Sequence, residues 1–127
     1  MKKILIVEDE ANLREILKMN LEKSGFECLT AEDGLEALKI TNVKKPDLVI
    51  LDLRISKVPG KEVCKKIKSD QETSTIPIIM LTGKNSDVDR IVGKVVGADC
   101  YLNKPCDMPT LLENINKLLG EKDGRIE

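Results

Sequence analysis

Four short apolar runs in this 127-residue chain each end at a polar residue suited to phosphate chemistry. The residues that follow these runs are Glu8-Asp9, Asp52, Thr82 and Lys104. The clearest run is Leu48 to Leu51, which directly precedes Asp52. Because ligands of open α/β sheets bind beyond the carboxyl ends of the parallel strands, residues far apart in sequence meet there. The pattern therefore predicts a parallel sheet with one site at the ends of its strands.

Strand-like and helix-like patterns alternate five times along the chain. Val, Ile and Leu dominate the predicted strands, which run over residues 4–7, 26–30, 48–51, 76–81 and 100–102. Apolar residues at helical spacing follow each strand, and Asp33, Ser86 and Asp107 are placed to begin three of the helices. Buried strands joined by helices predict an α/β fold with a doubly wound five-stranded parallel sheet and helices on both faces. The flavodoxin-like strand order 2-1-3-4-5 fits five such units.

Length and charge suggest one domain over residues 1–120, followed by a charged C-terminal tail or the start of a linker over 121–127. The chain has 21 basic and 22 acidic residues, so charge alone predicts binding to neither nucleic acid nor a membrane. The apolar run after Lys2-Lys3 is only four residues long, too short for a signal peptide or a membrane span. We therefore expect a cytoplasmic protein.

The chain has four cysteines and no histidine. The cysteines, which lack C-x-x-C spacing, are expected to be buried or half-buried free thiols. The absence of histidine argues against a Ser-His-Asp hydrolase, a Cys-His protease and a phosphohistidine donor.

The predicted strand order brings Glu8, Asp9 and Asp52 into one crevice. Three carboxylates a few ångströms apart repel one another by about 4 kcal/mol per pair at an effective dielectric of about 20. An oxygen-only site of this kind suits Mg²⁺, with Mn²⁺ as the second candidate. Asp52 is then a candidate nucleophile, and Lys104 and Thr82 are candidate partners for phosphoryl oxygens. Asp9 could alternatively be a helix cap, Thr82 a plain strand exit and Lys104 a solvated surface residue.

Taken together, four segments resemble the bacterial two-component response-regulator receiver domain over nearly the whole chain. The segments are Ile4-Leu-Ile-Val-Glu-Asp-Glu10, Asp47-Leu-Val-Ile-Leu-Asp52, Ile78-Ile-Met-Leu-Thr-Gly83 and Gly97-Ala-Asp-Cys-Tyr-Leu-Asn-Lys-Pro105. The resemblance implies that Asp52 accepts a phosphoryl group from a sensor histidine kinase or a histidine phosphotransfer protein. It also implies that Asp9, Asp52 and the backbone carbonyl of Arg54 bind Mg²⁺ directly, with Glu8 acting through water.

The resemblance further implies a conformational switch formed by Thr82 and Tyr101, and a cis peptide between Lys104 and Pro105. The switch would alter the face formed by the fourth predicted helix, the fifth strand and the last helix. Expected partners are a downstream output protein or domain and a second copy in a phosphorylation-dependent homodimer. The implied role is that of a signalling phosphoacceptor, whose only catalysis is phosphotransfer to itself and hydrolysis of its own acyl phosphate.

The loop after Asp52 departs from the family pattern. Ser56 replaces the proline expected four residues after the acceptor, and a proline occurs instead at Pro59. We therefore expect an altered loop path, which would affect the position of the Arg54 carbonyl. Two other functions remain as alternatives: a phosphohydrolase with an aspartate nucleophile, and a docking domain that works without phosphorylation. The first usually carries a second acid two residues after the nucleophile, where this chain has Arg54.

Overall fold

A computed structural model describes residues 1–83 and 97–120 of the chain. The elements are β1 (Lys3–Val7), α1 (Ala11–Lys23), β2 (Glu27–Ala31), α2 (Gly34–Lys44), β3 (Leu48–Asp52), α3 (Gly60–Ser69), β4 (Ile78–Thr82), β5 (Cys100–Asn103) and α4 (Met108–Leu119). The helix predicted to begin at Ser86 and the tail predicted over 121–127 lie outside the described residues. No helix within the described ranges has the length and apolar character needed to cross a membrane.

The five strands form one parallel sheet in the order β2-β1-β3-β4-β5. This is the predicted strand order, and it places β1 beside β3. In the register of these two strands, Val7 lies opposite Leu51. The residues that follow β1 therefore lie beside the end of β3.

Alternating side chains of the strands fill two cores, one on each face of the sheet. Helices α2 and α3 cover the core that contains Leu5, Val49 and Met80. Helices α1 and α4 cover the core on the other face, which contains Ile4 and Ile50. Every residue of β3 and β4 is buried, as expected for central strands with helices on both sides.

Two strands begin later than predicted. β4 begins at Ile78 rather than at Ile76, because Pro77 has no N–H to donate to the sheet. The Pro77 carbonyl still accepts a hydrogen bond from the Val49 N–H at 3.0 Å. β2 is shifted by one residue, because the Phe26 N–H bonds back to the Leu21 carbonyl at the end of α1.

Short-range signals located two helix starts correctly. Asp33 accepts a hydrogen bond from the Glu36 N–H at 2.9 Å, and Asp107 accepts one from the Thr110 N–H at 2.8 Å. The alternative interpretation of Asp9 as a helix cap is wrong. Helix α1 begins at Ala11, and its N-cap residue is Glu10, whose side chain makes no capping bond.

Candidate functional site

The carboxyl ends of the central strands bring together the polar residues singled out in the sequence. Asp52 and Thr82 are the last residues of β3 and β4, Glu8 directly follows β1, and Lys104 directly follows β5. The exposed fractions of Glu8, Asp52 and Thr82 are only 2%, 6% and 1%. Polar side chains are costly to bury without partners, so their contacts define what this site can do.

Lys104 joins two of the buried carboxylates. Its Nζ lies 2.8 Å from Asp52 Oδ2 and 3.2 Å from Glu8 Oε1. Burial alone would lower the pKa of Lys104, but its hydrogen bonds and charge interactions with Asp52 and Glu8 outweigh burial and raise it. Lys104 therefore connects the ends of β1, β3 and β5 through two ion pairs. It is not a solvated surface lysine.

Burial raises the pKa of Glu8 above its ordinary value of 4.5, and the Asp52 carboxylate acts in the same direction. The Glu10 N–H and Lys104 oppose this rise. Glu8 Oε2 accepts the Glu10 N–H at 3.1 Å, while Oε1 faces Lys104. Both carboxylate oxygens of Glu8 thus have partners within the protein.

Glu8, Asp9 and Asp52 together have the donor set of a divalent cation site. One carboxylate oxygen from each residue can be chosen so that all three lie within 4.8 Å of one another. Three carboxylates exceed the charge of Lys104 by two units, which matches one divalent ion. Oxygen donors without nitrogen or sulfur favour a hard ion such as Mg²⁺. Asp9 is the exposed member of the group, on the side open to solvent.

The loop after Asp52 is held by backbone hydrogen bonds despite its unusual sequence. The Arg54 N–H donates to Asp52 Oδ1 at 3.0 Å, and the Leu53 N–H donates to the Leu81 carbonyl at 3.0 Å. The Gly34 N–H donates to the Ser56 carbonyl at 3.0 Å, which attaches the loop to α2. These contacts order the backbone around Arg54, whose carbonyl was predicted to bind the metal.

The far end of the loop requires glycine at position 60. A Cβ at Gly60 would lie 2.6 Å from the Leu53 carbonyl oxygen and 2.7 Å from the Asp52 carbonyl oxygen. Carbon and oxygen atoms without a bond between them do not approach so closely, so a side chain here would displace the backbone at Asp52. Lys57 in the same loop has a left-handed backbone, with φ of 69°.

Thr82 donates its hydroxyl toward β5. Its Oγ1 lies 3.2 Å from Asn103 Oδ1 and 3.4 Å from the Leu102 carbonyl oxygen. Tyr101 is half-buried on β5 and packs against the core under α2 and α3. Asn103 was not predicted as a site residue, although its position directly before Lys104 was a signal that β5 extends into the site.

The Lys104–Pro105 peptide bond is cis. None of the four cysteines is joined in a disulfide: Cys64 is buried, and Cys28, Cys100 and Cys106 are half-buried, as predicted. Burial raises the pKa of the Cys28 and Cys64 thiols to about 11, so both are poor nucleophiles at neutral pH.

Comparisons with known proteins agree with this geometry. The family model for the response regulator receiver domain matches residues 4–116. The alkaline phosphatase synthesis transcriptional regulatory protein PhoP of Bacillus subtilis is 46% identical over 104 residues, which is 82% of this chain and 42% of PhoP. The phosphate regulon transcriptional regulatory protein PhoB of Pseudomonas aeruginosa is 40% identical, over 99% of this chain and 57% of PhoB. The chain thus spans about half the length of these relatives.

A solved structure is similar along nearly its whole length. The chemotaxis response regulator CheY4 of Vibrio cholerae has a TM-score of 0.87 and is 33% identical, over 93% of this chain and 98% of CheY4. Sequence family, strand order and strand-end residues lead to the same assignment. The chain belongs to the response regulator receiver domain family, the signalling domain of phosphorelays.

Proposed function

We propose that Asp52 is the phosphoacceptor of this domain. The observation that carries the proposal is the environment of Asp52: it is buried at a strand end, 2.8 Å from the Lys104 ammonium and beside two further carboxylates. This combination provides one nucleophilic oxygen, one fixed positive charge and an oxygen-donor set for a cation. Such groups stabilise the charge that develops on a transferring phosphoryl group.

The proposed reaction is transfer from phosphohistidine to aspartate. A carboxylate oxygen of Asp52 attacks phosphorus, the O–P bond forms, the P–N bond to imidazole breaks, and the imidazole nitrogen takes up a proton. Because this chain contains no histidine, the donor lies outside this sequence, on a sensor histidine kinase or a histidine phosphotransfer protein. To end the signal, water attacks phosphorus, and the bond between phosphorus and the Asp52 oxygen breaks. This step restores the Asp52 carboxylate, releases inorganic phosphate and gives a proton to the solvent. It is catalysis directed only at the domain itself.

Asp9, Asp52 and the Arg54 carbonyl would hold Mg²⁺, with Mn²⁺ as a substitute. Glu8 would contact the ion through water, the role that the resemblance to receiver domains implies for this position. When held by these groups, a divalent ion would offset the charge of the carboxylates and supply positive charge that stabilises a transferring phosphoryl group. Lys104 would pair with a second phosphoryl oxygen, and the Thr82 hydroxyl would donate to a third.

The output would be a change in partner binding. Movement of Thr82 toward the phosphoryl group would be coupled to Tyr101. Tyr101 would in turn affect the face formed by β5, α4 and the helix predicted to begin at Ser86. The partner would be an output protein or domain, or a second phosphorylated copy. The relatives PhoP and PhoB, which are about twice as long as this chain, are named as transcriptional regulators.

Mass spectrometry after incubation with acetyl phosphate and Mg²⁺ tests the proposal. The wild-type chain should gain one phosphoryl group, and Asp52→Asn should gain none, because an amide is not a nucleophile for phosphorus. Asp70→Asn is a matched control: Asp70 is an exposed acid whose bond to the Glu72 N–H an amide can replace. Equal phosphorylation of wild type and Asp52→Asn would refute the assignment.

A further inference from the structure

The hydroxyl of Thr82 donates to acceptors on β5. Thr82 is 1% exposed, and its Oγ1 lies 3.2 Å from Asn103 Oδ1 and 3.4 Å from the Leu102 carbonyl oxygen. The backbone carbonyl of Thr82 accepts the Lys104 N–H at 2.8 Å. The end of β5 thus holds both the side chain and the main chain of Thr82.

The pleat of the sheet places Asn103 beside both members of the predicted switch. Thr82 lies opposite Asn103 in the register of β4 and β5, and Met80 lies opposite Tyr101. Because side chains two residues apart share a face of a strand, Tyr101 and Asn103 lie on the same face of β5. Asn103 is therefore adjacent to Thr82 across the strands and to Tyr101 along the strand.

A threonine hydroxyl has a single hydrogen to donate, and a phosphoryl oxygen can only accept. To bond a phosphoryl group on Asp52, Thr82 must therefore release its acceptors on β5. We propose that Asn103 is a positioning residue that holds the Thr82 hydroxyl away from Asp52 and so favours the resting state. This inference rests on the proposed phosphoryl transfer to Asp52.

A Thr82 hydroxyl turned toward Asp52 would give up the Asn103 contact, so this contact shifts the equilibrium between the two states by its own net strength. One hydrogen bond of this kind changes an equilibrium by about threefold to tenfold. Loss of the Asn103 acceptor leaves the Leu102 carbonyl for Thr82, so the buried hydroxyl keeps a partner. Removing Asn103 should thus favour the activated state without leaving Thr82 unsatisfied.

The test measures the affinity for beryllofluoride, a phosphoryl mimic, at saturating Mg²⁺. Tyr101 fluorescence provides the signal, since the chain has one tyrosine and no tryptophan. The variants are Asn103→Ala and Asn103→Leu, of which the second keeps bulk but has no acceptor. Asn42→Ala, an exposed amide on α2, is the matched control. Each Asn103 variant is also combined with Thr82→Ala, and thermal unfolding establishes that each variant is folded.

We expect Asn103→Ala and Asn103→Leu to bind beryllofluoride about threefold to tenfold more tightly than wild type, and Asn42→Ala to be unchanged. In the Thr82→Ala background the Asn103 substitutions should have no effect, which a merely structural role would not produce. Unchanged or weaker binding by the Asn103 variants, or the same gain in both backgrounds, would overturn the inference. If Asp52→Asn binds beryllofluoride as well as wild type, the proposed function fails first, and the inference falls with it.

Discussion

At the scale of single residues, one lysine compensates the charge of two buried carboxylates in the site. The Lys104 ammonium is 3.2 Å or less from two carboxylates that are almost fully buried. Removing one partner of a buried ion pair is costly, because the other charge stays without compensation. Asp9, the third carboxylate, is exposed and can be changed with less structural damage. Variants of Asp9 therefore separate metal binding from folding better than variants of Lys104.

Lys57 offers a test of backbone strain beside the site. Its φ is 69°, a conformation that is unfavourable for residues with a Cβ and worst for β-branched ones. We expect Lys57→Val to be less stable than Lys57→Asn by about 1 kcal/mol or more, since asparagine tolerates this conformation. Both variants lose the ion pair between Lys57 and Asp33, in which Nζ and Oδ2 are 3.5 Å apart, so their difference isolates the backbone contribution. Urea unfolding gives the two free energies, and equal values would contradict the prediction.

At the scale of elements, the described helices differ in how they begin. Asp33 and Asp107 cap α2 and α4 with side-chain hydrogen bonds, whereas Glu10 and Pro59 give α1 and α3 no such bond. The bond from the Glu36 N–H lowers the pKa of Asp33, and that from the Thr110 N–H lowers the pKa of Asp107. Both carboxylates are therefore more stable as anions in the folded protein than in the unfolded chain.

The Asp107 cap should make a pH-dependent contribution to stability. Because its folded pKa is below the ordinary 3.8, this contribution is present above pH 3.8 and is lost as the pH falls through the folded value. We expect wild type to exceed Asp107→Ala in free energy of unfolding near neutral pH, with the difference shrinking in acid. Asp107→Asn keeps an acceptor without a charge and serves as the control. A difference between wild type and Asp107→Ala that is constant across this range would contradict the prediction.

At the scale of the whole molecule, the parallel sheet concentrates negative charge at one end. Glu8, Asp9 and Asp52 come from the ends of two neighbouring strands, and a net charge of two units remains after Lys104 is counted. The same arrangement that creates the site therefore costs stability when no cation is bound. A ligand that binds only the folded state recovers this stability in proportion to its concentration.

Mg²⁺ should stabilise the whole domain through Asp9. At ten times its Kd, Mg²⁺ should raise the free energy of unfolding by about 1.4 kcal/mol. Asp9→Asn should lose most of this gain, yet be at least as stable as wild type without Mg²⁺, because one repulsive charge is gone. The exposed Asp70→Asn is the control and should respond as wild type does. Thermal or urea unfolding with and without Mg²⁺ measures these differences, and an unchanged Mg²⁺ response in Asp9→Asn would refute the metal role.

The sequence by itself determined the elements and the composition of the site. Apolar runs located the strands, Asp33 and Asp107 located helix starts, and the alternation of strands and helices predicted the sheet order. These signals are local: an apolar run that ends at a polar residue, or an acid before a helix, acts within a few residues. Because Asp52 and Thr82 each end an apolar run, the sequence also predicted their positions at strand ends beside one site.

The tertiary structure alone decided which atoms meet. The contact between Thr82 and Asn103 depends on the register of β4 and β5, and the requirement for Gly60 depends on the carbonyls of Asp52 and Leu53. At the start of α1, an acidic residue before the helix was a misleading local signal, since the N-cap is Glu10 and not Asp9. Strand register and close contacts arise from packing between segments that are distant in sequence. A sequence pattern does not specify the distances between the atoms of such segments.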